Sequence, residues 1–596
     1  MATDNVVLYR LSSCLTREPI RRWTVNGVPF PVKNGSSYFG GKCYTFSGGA
    51  SVTNYTQKKE ISMFRYLLST LFVMIALSAF ATEKELCVIN VDDTHYYCSR
   101  TAEEMDIAHL EAFIDQYADG KVTHLFLNPN AQRTAFRSKT REAIWDPVPD
   151  ISEADLQKQW KEAKNFPVVA KTLYEKGIDP YTVWIRRCRE KGISIWLSMR
   201  MNDVHNAQDR LHFFHTEFWR SHPDFWRVPN DTTGDWNSRA FDYAHQAVRE
   251  HQFAFVQELL ERYDPDGIEL DWLRFPYHLR NGRFQEDAHF IDEFVRDVRT
   301  LTKEWAVKRG HEIGLAVRAP AFPDAAEGLG INAAHWAKEG WVDMIIAAPF
   351  WATTDYDIRT DIWRERLGDA AAHVRVLSCS ELLTRAFPGA NIIEYSNNMQ
   401  GYGYGEATPG LQDYDLSLLY GFVDNARFRG TDGIYLFNWY DYGPNTPPNS
   451  NYHKLLTEGV GTKIIEKHER RYPITYRDTV PTGVSNNVQL PKETDVAQTI
   501  RIPVGSVPKH GSAFLILGFE KRDGLASAAF SASLNGKDLG RHEEEKELAR
   551  LGSSPQRAVK FHCPLESLQA GENEMVLQPT VGTKQCLVWV ELRVIP

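Results

Sequence analysis

The stretch that decides the fold is Asp266-Gly-Ile-Glu269-Leu-Asp271-Trp-Leu-Arg274-Phe-Pro276. Ile268 and Leu270 alternate with Glu269 and Asp271, so an extended chain puts both apolar side chains on one face and both carboxylates on the other. Upstream, residues 241–263 run with helical period and end in Tyr263-Asp-Pro-Asp266-Gly267, a stop-and-turn that feeds a strand. In a (β/α)8 barrel the two acids would face the axis, with Asp271 emerging at the C-terminal rim where such barrels keep their chemistry. Acids inside a barrel are costly unless paired or used. The structural alternative is an ion pair between Glu269 and an inward arginine.

Outward from this strand, short β-rich runs alternate with helical patterns, the signature of a parallel α/β fold. The strand segments are Leu86–Asp92, Thr123–Asn128, Ile193–Arg200, Gly267–Trp272, Glu312–Arg318, Val342–Pro349, Val374–Ser380 and Gly433–Trp439. Helical segments at 102–117, 180–191, 244–263, 286–309 and 413–428 fill the gaps. A doubly wound open sheet would usually carry a glycine-rich turn after its first strand, and residues 86–97 contain no glycine. Eight units favour the closed barrel, assigned to residues 82–470. Its long insertions, 129–180, 201–240 and 383–412, all follow strands and so wall the C-terminal face. The last contains a Gly-Tyr-Gly-Tyr-Gly run at 401–405, read as an aromatic loop.

Beyond the barrel, residues 471–496 read as a connector and 497–596 as a small β-sandwich, with short alternating strands and turns at Asn535-Gly536 and Gly571-Glu-Asn573. At the other end, Met63-Phe-Arg65 precedes an apolar run closing on Ala79-Phe80-Ala81, the pattern of a secretory signal peptide. Residues 1–62 then read as a mis-assigned or disordered leader, and a mature chain beginning near Thr82 is expected to be secreted or periplasmic. The alternative is a signal anchor, although the run is short against the ~20 residues a span needs.

The whole chain of 596 residues is 43% hydrophobic and 12% aromatic with a net charge of −9, which suits a large globular core. That charge argues against nucleic acid or an anionic membrane as partner. The 16 tryptophans supply flat rings of the kind sugar faces stack on. Cys87 could bridge to Cys98 and Cys563 to Cys586; Cys188 and Cys379 complete the set beyond the signal segment, and no Cys-x-x-Cys spacing calls for zinc or redox chemistry. Neither metal nor other cofactor is required by the favoured reading.

The same parity assigns the chemistry. Ser194, Trp196, Ser198 and Arg200 face the axis from strand three, and Gly314, Ala316 and Arg318 from strand five. Arg200, Arg274 and Arg318 thus surround the strand-four acids, either balancing them or gripping an anionic sugar substituent through a planar fork. A glycosidase needs two carboxyl groups, one ionised and one protonated. Asp271 is one. Glu381, which ends strand seven across the mouth, is the preferred second, ahead of Asp355 after strand six and Glu269, which lies a layer deeper and is expected to tune the pair. Trp351 and Trp439 are candidate stacking platforms, with core packing as the alternative for each. Asp93, His95, Asn128, Asp203 and Asn438 follow other strands at the same rim and are candidate substrate contacts.

Asp266-Gly267-Ile268 with Asp271 and Phe275-Pro276 resembles the strand-four signature of the glycosyl-hydrolase-like family 10 group. His222-Pro-Asp-Phe-Trp226 and Phe241-Asp-Tyr243 add to the resemblance, which covers roughly residues 85–445. It implies a secreted (β/α)8 hydrolase acting on carbohydrate, with Asp271 matching the second acid of the motif. Here Glu269-Leu-Asp271 stands where paired aspartates are common. Two other classes of function stay open. Asp92, Asp93 and His95, with His124 or His205, His212 and His215, could hold a divalent metal for a sugar deacetylase. A barrel kept only as a glycan-binding scaffold is the other.

Overall fold

All eight strand segments read from the sequence are strands in the computed structural model, and they close into one parallel barrel. The structure describes residues 85–596 except 119, 392, 395–414, 440–449, 479–486 and 583, together with a short antiparallel hairpin of Trp23–Val25 with Val28–Phe30. Apart from that hairpin, residues 1–62, expected as a leader, residues 63–81, expected as a signal peptide, and the glycine-tyrosine run at 401–405 lie outside the described residues.

The barrel strands are β1 Leu86–Val91, β2 His124–Leu127, β3 Ser194–Arg200, β4 Gly267–Asp271, β5 Gly314–Pro320, β6 Met344–Ala348, β7 Arg375–Ser380 and β8 Gly433–Phe437. Closure is made by β8, which pairs with β7 on one side and β1 on the other. The helices between strands start and stop on local chemistry. Helix Pro180–Lys191, for example, has Asp179 accepting from the Thr182 amide at 3.1 Å, proline at its first position, and Gly192 in the left-handed conformation at φ 71°.

Side-chain parity holds around the ring. Ile195, Leu197, Ile268, Leu270, Leu315 and Val317 pack outward in the core shared with the helices. Trp196, Phe126, Ala316, Tyr435 and Phe437 form a separate cluster inside the barrel. The floor is set by Trp196, which stacks on Phe126 with centroids 5.0 Å apart and planes 7° from parallel. Its indole needs the space over two glycines: a Cβ on Gly267 would sit 2.3 Å from Trp196 Cε3, and one on Gly314 2.4 Å from Cη2. The glycine opening Gly-Ile-Glu-Leu-Asp is therefore a packing requirement. Gly267→Ala is expected to destabilise the protein by about 1–3 kcal/mol through overpacking, read as a lower midpoint in urea unfolding.

Residues past the barrel build two antiparallel sheets. One contains β9 Arg470–Pro473, β10 Lys492–Glu493, β12 Ser512–Phe519, β15 Glu543–Glu544, β16 Arg557–Cys563 and β18 Cys586–Ile595. The other contains β11 Gln498–Val504, β13 Ala529–Leu534, β14 Lys537–Asp538 and β17 Gly571–Val581. Phe519 and Phe530 stack across the sheets at 4.3 Å, the contact of a sandwich. Asn535-Gly536 makes the expected hairpin turn, both residues at positive φ. The expected turn at Gly571-Glu-Asn573 is instead the start of β17. The segment expected as a connector supplies most of β9 and all of β10. These strands escaped sequence reading because Arg470-Arg-Tyr-Pro and Lys492-Glu lack apolar alternation; β9 is buried through ion pairs instead. Arg471 reaches Glu591 at 2.7 Å and Asp415 at 2.8 Å.

Strand β9 also docks on the helix that leads into β8, Leu416–Phe428. Gly421 lets the backbone of Arg471 approach, and Asp424 accepts from Tyr472 Oη at 2.6 Å and Arg470 at 3.1 Å. The expected disulfides are not formed. All six cysteines in the described chain are thiols, and Cys98 Sγ points to the Ala163 carbonyl at 3.9 Å. Among the described residues no helix is long and apolar enough to cross a membrane.

Candidate active site

A cavity of about 450 Å³ opens at the C-terminal mouth of the barrel. Its walls come from segments that follow strands: Asp92 after β1, Lys164 and Phe166 from the insertion after β2, Arg200 at the end of β3 with His205 and Phe214 beyond it, Arg274 after β4, Trp351 after β6, Glu381 after β7, and Phe437 and Asn438 at β8. Trp351 is 37% exposed, a large ring open to this space.

Glu381 lines the cavity and is 6% exposed. Burial pushes its carboxyl up to about 8 even though Arg318 and Arg274 pull it down, so it carries a proton at neutral pH. Asp478, from the segment after β9, adds to the upward push. The same Asp478 carboxylate accepts from the Trp351 amide at 2.7 Å, which ties this cavity wall to the C-terminal module.

Asp271 lies behind the wall. It is 1% exposed and does not line the cavity. Arg318 forks onto it, Nε to Oδ1 at 2.9 Å and Nη2 to Oδ2 at 3.1 Å, while the Leu273 and Arg274 amides donate to Oδ1 at 3.1 and 3.0 Å. Every neighbour donates, the pattern of an ionised carboxylate. The amide contacts fold the chain after β4 into a tight turn that leaves Phe275 at φ 68°, a strained conformation for a bulky residue. Arg318 also reaches Glu381 Oε1 at 3.5 Å and lies 3.9 Å from the Phe437 ring centroid. One guanidinium thus joins the two carboxyl groups.

Glu269, expected as a third catalytic carboxyl, is fully buried one layer below, about 7 Å down the strand from Asp271. Ser198 Oγ and Tyr435 Oη both donate to its Oε1, and Oε2 has no partner. Burial and then the nearby Asp271 raise it to about 8, so it is neutral. The acid held by an inward arginine is therefore Asp271, not Glu269.

The expected arginine arc exists, with three different occupations. Arg318 is fully buried, which corrects its assignment to substrate contact: it is spent on Asp271 and Glu381. Arg200 lines the cavity but pairs with Asp92, and with Asp203 at 2.8 Å. Asn438 donates to Asp92 at 3.0 Å, and burial of Asp92 is outweighed by Arg200 and Arg274, which hold it below the usual carboxylate range. Arg274 donates to His205 Nε2 at 2.9 Å.

Other expected contacts fall elsewhere. Asp355 pairs with Arg477 at 3.3 Å and lines a separate pocket beside Pro473 and Arg501. Trp439 is fully buried in the core. Asn128 donates to the Ser198 carbonyl at 2.7 Å, and Asn128 and His95 do not line the cavity. Asp203 is buried beneath His205. The side chain of Asp93 lies outside the described residues. Among the described residues no three of His, Cys, Asp and Glu are grouped to hold a metal ion. His205 faces Asp203, His212 contacts Asn206, and Asp92 is taken by Arg200. Sequence reading missed Phe437, which strand parity could have supplied, and Lys164, Phe166 and Asp478, for which no periodic signal exists.

Fold and site together define a (β/α)8 barrel with a carboxyl- and arginine-lined cavity at its C-terminal mouth. No family model and no curated protein matches the chain. Among solved structures it is similar to a Paenibacillus cycloisomaltooligosaccharide glucanotransferase complexed with cycloisomaltoheptaose, at 11% identity and TM-score 0.32, over 85% of this chain and 57% of that one. It is similar to the glycoside hydrolase domain of PgaB (BpsB) from Bordetella bronchiseptica, at 10% identity and TM-score 0.36, over 64% and 99% of the two chains. It is also similar to a Thermotoga maritima α-fucosidase in complex with fucose, at 11% identity and TM-score 0.32, over 83% and 95%. The chain spans little more than half of the glucanotransferase.

Proposed function

We propose that this protein is a secreted or periplasmic glycoside hydrolase in which Glu381 delivers the proton to the leaving oxygen. The observation that carries the reading is the pairing at the barrel mouth. A carboxyl held near 8 faces the cavity, and one arginine links it to a second carboxylate, Asp271, that is acceptor on both oxygens. Opposite protonation of two acids is what glycosidic cleavage asks for. A single guanidinium touching both makes the two carboxyl groups neighbours at one end of the barrel. In this scheme protonated Glu381 donates its proton as the glycosidic C–O bond breaks, Asp271 balances the positive charge that develops on the sugar, and a water adds to the anomeric carbon and returns a proton to the Glu381 carboxylate. Trp351 supplies a stacking face. The resemblance of residues 266–276 to the glycosyl-hydrolase-like family 10 group agrees with this reading.

A second assignment of the anionic partner has its own support. Asp92, unlike Asp271, lines the cavity and is held charged by Arg200. Product release from a panel of neutral, uronic and sulfated oligosaccharides separates the two. Asp271→Asn is expected to abolish turnover if Asp271 is the partner, whereas Asp92→Asn alone should do so if Asp92 is. Turnover that survives Glu381→Gln, or a panel on which nothing is released, would overturn the hydrolase reading. Activity lost only to EDTA would move the chemistry to a metal.

A further inference from the structure

Of the three arginines at the barrel mouth, two pair directly with carboxylates and, among the described residues, one does not. Arg318 holds Asp271 and Glu381, and Arg200 holds Asp92 and Asp203. Arg274 lines the cavity, is 9% exposed, and makes no ion pair within 4.0 Å among the described residues. Its one side-chain hydrogen bond goes to His205 Nε2, and its Nε is buried with no partner.

The state of His205 sharpens the point. Its Nδ1 lies 2.8 Å from Asp203 Oδ1, a carboxylate engaged by Arg200 and able only to accept. The ring proton therefore sits on Nδ1, and Nε2 offers a lone pair to Arg274. A neutral imidazole orients the guanidinium without cancelling its charge. Phe275 and Phe437 rings lie 5.5 and 5.9 Å from the guanidinium carbon and limit water around it. The Arg274 charge acts on Asp92 and Glu381 without touching either, and a buried cation that no carboxylate contacts is either destabilising or matched by a ligand. Here its unused donors border the same cavity as Glu381.

We propose that Arg274 is an anion subsite, positioned by the Asp203–His205 pair, and that the glycan cut here carries a negative substituent, a carboxylate or sulfate, on the sugar bound beside it. This rests on the glycoside hydrolase reading for its substrate. The subsite itself is tested without turnover.

Isothermal titration of the full chain with glucuronate, galacturonate, inorganic sulfate and, as a neutral control, glucose is the direct test. At least one anion should bind, and Arg274→Met should weaken it by roughly tenfold to a hundredfold, the range for charge-assisted hydrogen bonds. The order of affinities among the anions tells carboxylate from sulfate. A second readout separates ligand binding from scaffolding. Without ligand, Arg274→Met should melt no lower than wild type, because it removes an unpaired charge. The rise in melting temperature on adding the anion should vanish in the variant. Equal anion binding by wild type and variant, or no binding to either, overturns the subsite, as does a large drop in the variant's own melting temperature. If the anion binds through Arg274 but no glycan of the panel is cut, the subsite stands and the hydrolase reading falls. If anionic glycans are cut equally by wild type and Arg274→Met, the hydrolase stands and the subsite falls.

Discussion

Glu381→Gln is expected to lower kcat/KM by about 10²–10⁴-fold, the usual contribution of a positioned general acid, with the fold intact. The amide copies the shape of the protonated carboxyl, which is the form burial already imposes, so melting at neutral pH should hardly move. The pH profile supplies the sign. Glu381 works as a donor only while protonated, and its carboxyl is raised to about 8. Activity assigned to it is therefore present below that value and is lost as pH rises through about 8. A glutamate at its ordinary value near 4.5 would lose its proton already in mild acid. An alkaline limb near 8 that disappears in the variant's residual activity supports the assignment. A profile falling from pH 5 upward would remove Glu381 from the role of acid.

Arg318→Met carries the largest expected cost in stability. The guanidinium is fully buried and the carboxylate it forks onto is 1% exposed. Taking away one partner leaves Asp271 charged, out of water, with only the Leu273 and Arg274 amides as donors. Breaking a buried pair from one side costs about 3–5 kcal/mol, against a total of about 5–15 kcal/mol for a folded domain. Glu381 adds little to this loss, because it is neutral. Removing both charges should be milder than removing one, since apolar groups of similar volume can replace a buried pair at little cost. Urea unfolding of Arg318→Met, Asp271→Leu and the double variant forms a cycle that reads the coupling directly. A double variant less stable than either single one would show that the pair is not the main link.

The barrel was legible because its signals are local and repeated. Alternation in Gly-Ile-Glu-Leu-Asp and in Ser-Ile-Trp-Leu-Ser-Met-Arg200 fixed which side chains look inward, and the structure keeps those faces. Helix ends were marked by residues such as Asp179, Pro180 and Gly192. The short strands β9 and β10 were not legible, because arginine and lysine carry no apolar period and enter the sheet through partners more than 90 residues away, such as Glu591 for Arg471 and Leu587 for Lys492.

Sequence by itself determined the eight-strand barrel, the inward faces, and the gathering of Asp271, Glu381 and three arginines at one mouth. It could not choose partners among them. Asp271 stands in register between Arg200 on β3 and Arg318 on β5, so strand order alone offers two equivalent cations. Tertiary structure breaks the tie: Asp92 from β1 and Asp203 from the loop after β3 take Arg200, leaving Arg318 for Asp271. It also decided depth. Parity gives a direction but not a distance from solvent, and it is the covering residues, Arg318 and the turn at 272–275, that seal Asp271 while Glu381 and Arg274 stay at the cavity wall. Charge pairing and exposure are set by long-range neighbours, which no short window of sequence contains.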